Sequence, residues 1–101
     1  MPYEQIKDVA DSSREVRAFI FNRNKDLYVV YWHIARDKKL DLPLNSNDII
    51  LQETIGNDIP VQSGQDGNNS LLPAGKVRYI KTSKLTKDQL ITAFKNAKVV
   101  D

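Results

Sequence analysis

The segment VRAFIFNRNKDLYVVYWHI, residues 16–34, decides the fold of this chain. Val16–Phe21 sends alternate side chains to opposite faces, as a β-strand does. Leu27–Ile34 is rich in β-branched and aromatic residues, which favour strands. The polar residues 22–26 between them favour a turn, so the segment predicts a β-hairpin.

The second strand of this hairpin is apolar on both faces. Its two sets of alternating side chains are Leu27, Val29, Tyr31 and His33, and Tyr28, Val30, Trp32 and Ile34. A strand that faced water on one side would carry polar residues on that side. We therefore expect this strand to lie in the centre of a sheet, with another sheet or a helix covering each side.

Short apolar runs separated by turn residues follow the hairpin, as in a small antiparallel sandwich or barrel. These further strand segments lie at 40–42, 49–55, 59–61, 71–72 and 77–82. Pro43 stops the first of them or restricts it to a sheet edge, because proline cannot donate a ladder hydrogen bond. Residues 63–69, SGQDGNN, are expected to form a flexible loop.

The N-terminal segment has a weak helical pattern. Pro2 suits the first position of a helix, and apolar residues recur at roughly helical spacing after it. We predict a short helix or turn over residues 2–10, followed by a linker at 11–13.

The C-terminal segment has stronger helix signals. Thr86 and Gln89 match a capping box, and Leu85 and Leu90 have the spacing of a hydrophobic staple. These residues predict a helix over 87–97 whose apolar stripe packs on the sheet.

Length and composition are those of one small globular domain. The chain has 101 residues, of which 41% are apolar and 28% charged, so a single core can form. We predict an N-terminal helix or linker segment over 1–13, a β-sheet core over 14–82 and a C-terminal helix over 83–101. The fold class is mostly β: a small antiparallel β-sandwich or sheet with a C-terminal α-helix packed on it.

Charge and cysteine content exclude several classes of function. The chain has no cysteine, which removes disulfides, thiol chemistry and zinc–thiolate sites. Its formal charge of +2 is too small to indicate a nucleic-acid partner. No apolar run reaches the roughly 20 residues that span a bilayer, and no hydrophobic signal region precedes the hairpin. We expect a soluble chain with no membrane partner, whose compartment stays open; Met1 is either the natural start or one introduced where a longer chain was cut.

Residues capable of catalysis do not form a recognisable pattern. The single histidine, His33, lies in the apolar strand without a nucleophile or a second metal ligand beside it. The four glycines are scattered among turns and form no phosphate-binding loop. Asp37, Asp41, Asp58 and Asp66 are predicted to fall in loops or turns, where carboxylates are solvated. We predict no catalytic residues, no metal and no cofactor.

An aromatic cluster is the remaining candidate site. Aromatic rings are the groups on which sugar rings stack, and tryptophan is a frequent anchor at interfaces. The alternative is that these rings form the core of a small domain or dock on a partner. The candidate residues of a glycan-binding or domain-interface surface are Trp32, Tyr31, Tyr28 and His33.

Residues 18–44 resemble a segment of a known family. The strings AFIF, LYVVYWH and LDLPL, and the later LLPAGKVRYIKT, are similar to the small C-terminal β-sandwich domains that follow the catalytic barrels of glycoside hydrolases. The match spans residues 16–82, and the capped helix at 87–97 departs from the plainest of these domains. In that family the catalytic carboxylates lie on the barrel, so none is carried over onto this chain.

The resemblance implies an accessory, non-catalytic role in a larger carbohydrate-active enzyme. The expected partner is the catalytic barrel domain of the same parent chain, which this domain would cover or stabilise, or else a glycan. Two alternatives stay open. One is a carbohydrate-binding module with an aromatic platform, and the other is a free-standing protein-interaction domain that pairs through an exposed sheet edge.

Overall fold

Two antiparallel sheets and one helix make up the fold. The computed structural model describes residues 3–10, 14–34, 38–64, 68–73 and 75–100. Within those ranges the elements are β1 (Glu4–Gln5), β2 (Val16–Arg23), β3 (Asp26–His33), β4 (Lys39–Leu42), β5 (Ile50–Thr54), β6 (Asn57–Ile59), β7 (Gln62–Ser63), β8 (Ser70–Pro73), β9 (Arg78–Thr82), α1 (Lys87–Lys95) and β10 (Lys98–Val100).

The strands divide into a large and a small sheet. The six-stranded sheet has the order β1-β2-β3-β9-β5-β6, and the four-stranded sheet has the order β10-β4-β8-β7. Leucines of the small sheet and aliphatic side chains of the large sheet join the apolar stripe of α1 in one core. This β-sandwich with a C-terminal helix confirms the predicted fold class.

The β2–β3 hairpin is confirmed, with a shorter turn than predicted. The two strands pair from Val16 opposite His33 to Arg23 opposite Asp26. Only Asn24 and Lys25 form the turn, with φ angles of 51° and 72°. Two consecutive residues with positive φ are the hallmark of the type I′ turn, whose twist matches that of the flanking strands. The polar residues on either side of the turn therefore belong to the strands.

Strand β3 lies in the centre of the six-stranded sheet, between β2 and β9, as its sequence predicts. The prediction that a sheet or a helix covers both sides of β3 is wrong. Val29 and Tyr31 face the core and are fully buried, whereas Val30 and Trp32 on the opposite side stay partly exposed. Within the described ranges, no strand or helix lies over that outer side.

Helix α1 begins as its sequence predicts. The Thr86 hydroxyl accepts a hydrogen bond from the Gln89 amide at 3.2 Å, and the Gln89 side chain accepts one from the Thr86 amide at 2.8 Å. These two bonds form the capping box. Leu90 and Phe94 are fully buried, and the Phe94 ring contacts the Tyr31 ring with centroids 6.5 Å apart. The helix thus packs on the inner face of the large sheet.

The C-terminal end of the helix differs from the prediction. The helix ends at Lys95 and not at residue 97, and the region 83–101 is therefore not helical throughout. The reason is that Lys98–Val100 pairs with β4 as an antiparallel strand. This pairing requires the chain to leave the helix at Asn96.

The predicted N-terminal helix is wrong. Glu4–Gln5 pairs with β2, and the Ile6 amide donates to the carbonyl of Ala18 at 2.9 Å. A bend and a turn follow, with Asp8 and Ala10 at positive φ. The near-helical spacing of the apolar residues reflects a turn that buries them against the core. The predicted linker at 11–13 lies outside the described residues.

Strand β4 is not at a sheet edge. Of the two effects predicted for Pro43, restricting the strand to an edge is therefore wrong, and stopping the strand is the one observed. The strand lies between β10 and β8. Pro43 follows the last residue of the strand, so the ladder loses no donor and the strand simply ends there.

Candidate functional site

The structure divides the four candidate site residues between two sides of one sheet. Trp32 and Tyr28 project to the outer side of the large sheet, while Tyr31 and His33 project into the core and are 0% and 2% exposed. Neighbouring residues of a strand point to opposite faces, so a run of adjacent aromatic residues cannot form a single surface. The four residues therefore do not form one binding surface. Only Trp32 and Tyr28 lie on the outer side, and since Tyr28 is 5% exposed, Trp32 is the more accessible of the two.

The outer side of the large sheet carries most of the aromatic side chains of the chain. The register of β1, β2, β3 and β9 places six of the eight on this side. We call this surface the aromatic face, and its members are Tyr3, Phe19, Phe21, Tyr28, Trp32 and Tyr79. An apolar sheet face without a second layer is unusual, and such patches mark interaction sites.

The rings of the aromatic face pack against one another. Phe19 and Trp32 are stacked with centroids 5.7 Å apart and an interplanar angle of 18°. Phe21 and Tyr28 are stacked at 5.4 Å and 12°, and the Tyr3 ring meets Phe21 edge-on at 5.2 Å. These are the distances of favourable aromatic pairs. The stacking keeps the side chains ordered, so the face has a defined shape before any partner binds.

Exposed aliphatic side chains extend the aromatic face. Among the described residues five large apolar side chains are exposed, and four of them lie on this side of the large sheet: Tyr3, Ile34, Ile50 and Val77. Ile34 is 73% exposed and Val77 is 49% exposed. Large exposed apolar side chains clustered on one face, as opposed to scattered singly, indicate a surface that another molecule covers.

The outer side of the small sheet has a different character. There the Lys39 ammonium donates to the Gln62 side chain at 2.9 Å, and the Asn69 amide donates to the Asp41 carboxylate at 2.8 Å. Hydrogen-bonded polar groups of this kind are typical of a sheet face in contact with water. The two outer sides of the sandwich therefore differ, and only the aromatic face has the composition of an interface.

A depression of about 280 Å³ lies where the aromatic face meets the end of β3. We call it the notch; its lining residues are Trp32, His33, Ile34, Gly75, Lys76 and Val77. The amide of Gly75 donates to the carbonyl of His33 at 3.0 Å and ties the loop before β9 to the end of β3. Gly75 has a φ of 94°, which fits glycine and few other residues.

Basic residues border the aromatic face. Arg17 and Arg23 are exposed on the same side of β2 as Phe19 and Phe21. Of the other charged groups there, Lys81 pairs with Asp26 at 3.6 Å and Lys76 with Glu53 at 3.8 Å. Each of these pairs is neutral as a whole, and the exposed Asp58 carboxylate lies on β6, four strands away from β2. The two arginines therefore leave the β2 part of the border positively charged.

His33 lies on the core side of β3 in an apolar setting. Its two ring nitrogens have no hydrogen-bond partner in the described part of the chain. Burial lowers the pKa of His33, the nearby Glu15 carboxylate opposes this shift, and Arg78 adds to it. Burial also raises the pKa of Tyr31, and Arg78 partly offsets that rise. The Tyr31 hydroxyl donates to the carbonyl of Pro73 at 3.3 Å, which links the two sheets.

The described residues contain neither a metal-binding cluster nor a membrane-spanning helix. No three histidine or carboxylate side chains within the described ranges come together as a metal site requires. In the same ranges, no helix is long and apolar enough to span a membrane. Asp37 and Asp66, two of the carboxylates considered from the sequence, lie outside the described residues.

Sequence reasoning missed several members of this surface. The sequence predicts a short helix or turn for the segment that contains Tyr3. It predicts a strand for the segment that contains Val77 and Tyr79, but not which strand pairs with it. Only the pairing of β9 with β3 shows that these two residues share a side with Trp32. The one signal available beforehand was the doubly apolar β3, which indicated that something covers its outer side.

Comparison of the chain with models of known protein families, with curated proteins and with solved structures gave no match.

Proposed function

We propose that this chain is a non-catalytic accessory β-sandwich domain of a larger carbohydrate-active enzyme, a glycoside hydrolase. In this proposal it packs against the catalytic barrel domain of the same parent chain and stabilises it. The observation that carries the proposal is the aromatic face, over which no described strand or helix lies, although Phe21 and Tyr28 are buried by their neighbours on the face. The resemblance of residues 16–82 to accessory domains of glycoside hydrolases supplies the kind of parent enzyme.

The size of the aromatic face favours a covalently linked partner over a freely diffusing one. Strand spacing and rise give it dimensions of roughly 20 Å by 20 Å, or about 400 Å². A stable complex between separate proteins buries about 800 Å² on each partner. A domain in the same polypeptide needs less area, because the linker supplies an effective concentration in the millimolar range. A free-standing interaction domain is therefore the weaker alternative.

The ring geometry also bears on the carbohydrate-binding alternative. Sugar rings stack on the exposed flat side of an aromatic ring, and Trp32 turns one of its sides to Phe19. Tyr28 turns one of its sides to Phe21 in the same way. Phe21 and Tyr28 are each 5% exposed and Trp32 is half-buried, so little flat ring surface is left for a glycan platform.

The first test is the reading frame that contains this segment, which should encode a catalytic domain upstream. The second uses that parent enzyme with Ile34→Glu and Val77→Glu combined. Both side chains are exposed in the domain, so the unfolding free energy of the isolated domain should change by no more than about 0.5 kcal/mol. In the parent, calorimetry should show the catalytic domain unfolding several degrees lower, because two charges would be buried at the interface.

Ile55→Glu is the matched control. Ile55 is also exposed and apolar, but it lies in the turn between β5 and β6, away from the aromatic face. It should leave both transitions unchanged. A reading frame without a catalytic domain, or equal effects of the control and the double variant in the parent, would refute the proposal.

A further inference from the structure

We infer that the aromatic face binds an apolar protein surface bordered by carboxylates, and that the notch receives one large apolar side chain of that surface. This inference rests on the proposed packing of the domain against a protein partner and specifies the chemistry of that partner.

The notch has the size and lining of a pocket for an apolar side chain. An apolar cavity of about 150 Å³ holds a benzene molecule, so about 280 Å³ leaves space for an aromatic or branched aliphatic side chain. Trp32, Ile34 and Val77 line it, and the last two are largely exposed without a partner. Interface energy concentrates where a side chain fills such a pocket, so the notch is the expected anchor point.

Two cations lie close to the notch. Arg17 is the cross-strand neighbour of Trp32, and Lys76 lines the notch itself. The Arg17 guanidinium donates to the carbonyls of Arg14 and Val16, which fixes its position without neutralising its charge. Lys76 pairs with Glu53 at 3.8 Å, but both side chains are well exposed, so this pair is weak and exchangeable. A carboxylate next to the anchoring side chain would meet both cations.

A third cation indicates how far apart the acidic groups of the partner surface should lie. Arg23 lies six residues along β2 from Arg17, on the same side of the sheet and about 20 Å away. Charged groups at the border of an interface select the partner of opposite sign and suppress others. The partner surface should therefore carry acidic groups at both ends of its apolar part.

The same charges argue against a second copy of this chain as the occupant. Two copies packed through their aromatic faces would bring Arg17 and Arg23 of one against the same residues of the other. Among the described residues, Asp26 and Glu53 already pair with Lys81 and Lys76. Within the same residues, the exposed Asp58 on β6 has only the Gln52 side-chain amide as its partner, so each copy would offer one carboxylate against two arginines. The area of about 400 Å² is also too small for a stable dimer.

The inference can be tested on the isolated chain by an NMR titration with three capped tripeptides: Glu-Phe-Glu, Lys-Phe-Lys and Glu-Ala-Glu. The first should shift the Trp32 indole resonance and the amides of Ile34, Gly75 and Val77. It should bind about fivefold more tightly than the lysine peptide, the ratio expected from exposed ion pairs. Replacing phenylalanine by alanine should remove the shifts, because the notch then stays unfilled.

Arg17→Glu should abolish the preference for the acidic peptide, and Arg17→Gln serves if the glutamate variant is poorly folded. Lys98→Glu, an exposed change in the small sheet, is the matched control and should keep the preference. The inference would be overturned if the Trp32 resonance did not shift, or if both phenylalanine peptides bound with equal affinity. It would also be overturned if only xylan or cellulose oligosaccharides produced shifts, or if the chain formed dimers in a concentration-dependent way. Because no parent enzyme is needed, this result is independent of the reading-frame test of the proposed function.

Discussion

His33 shows how a single buried residue makes the stability of this fold depend on pH. It is the only histidine of the chain, it faces the core, and its pKa is lowered mainly by burial. Histidine is the side chain whose charge ordinarily changes between pH 5 and 8, so no other side chain is expected to dominate the titration there. The electrostatic neighbours are Glu15, which opposes the shift, and Arg78, which reinforces it.

We expect the unfolding free energy to decrease as the pH falls below about 6.5, the pKa of an unfolded histidine. Above that pH His33 is neutral in both states, so it adds no pH dependence to the unfolding free energy. Below it, the unfolded chain takes up a proton that the folded chain resists, with a slope of at most about 1.4 kcal/mol per pH unit until the folded pKa is passed. Urea unfolding at a series of pH values measures this.

His33→Phe is the control for this prediction, since it removes the titrating group while keeping a ring in the core. Its unfolding free energy should be flat between pH 7 and 5. A wild-type profile as flat as that of the variant would show that the folded and unfolded pKa values of His33 do not differ.

Lys25 lies in a backbone conformation that costs stability. Its φ of 72° is left-handed, and this costs a residue with a side chain about 1–2 kcal/mol. Glycine avoids that cost but adds about 0.5–1 kcal/mol of conformational entropy loss on folding. We therefore expect Lys25→Gly to stabilise the fold by about 0.5–1 kcal/mol, which raises the melting temperature by several degrees.

Lys25→Ala separates this backbone effect from the loss of the lysine side chain. It keeps the left-handed strain and should give no gain in a thermal melt. If alanine stabilised the chain as much as glycine, the gain would come from removing the charge and not from the type I′ turn.

At the scale of elements, the capping box of α1 should make a measurable contribution to the free energy of unfolding. Thr86→Ala removes the acceptor for the Gln89 amide and should cost about 1 kcal/mol in urea unfolding. Thr86→Ser keeps a hydroxyl in the same position and should cost much less. Equal losses in the two variants would mean that the contact of the threonine methyl, and not the cap, accounts for the effect.

The elements that sequence reasoning predicts well are those set by local interactions. The β2–β3 hairpin follows from a turn between alternating strands, and the start of α1 follows from four residues in one segment. Strands β1 and β10 are each two or three residues long and pair with partners distant in sequence. No local pattern in so short a strand distinguishes it from a loop or from the end of a helix.

The candidate surface was harder to predict than the fold for the same reason. Trp32 and Tyr31 are adjacent in sequence, so their shared aromatic character suggests one site, yet alternation sends them to opposite sides of the sheet. Tyr3 and Tyr79 lie far from Trp32 in sequence and reach the same side only through the strand order. A sheet surface is a property of pairing, which a single sequence does not display.

At the scale of the whole molecule, the sandwich is asymmetric. One outer side is polar and hydrogen-bonded, and the other carries stacked rings, exposed aliphatic side chains and a border of arginines. The interior does not require this arrangement, because the core lies between the sheets and under α1. The aromatic face therefore adds apolar exposure that folding alone does not explain, which is the general reason for assigning it to a partner.

The N-terminal segment shows that the whole fold extends beyond the central strands. Ile6 and Val9 are buried in the core, and the amide of Ala10 donates to the carbonyl of Phe94 at 2.8 Å, so the segment joins the large sheet to α1. Ile6→Ala should lower the unfolding free energy by about 2–5 kcal/mol, a large share of the roughly 5–15 kcal/mol typical of a domain. Lys7→Ala, an exposed change next to it, should cost less than about 0.5 kcal/mol. A loss at Ile6 as small as that at Lys7 would show that this segment contributes little to the core.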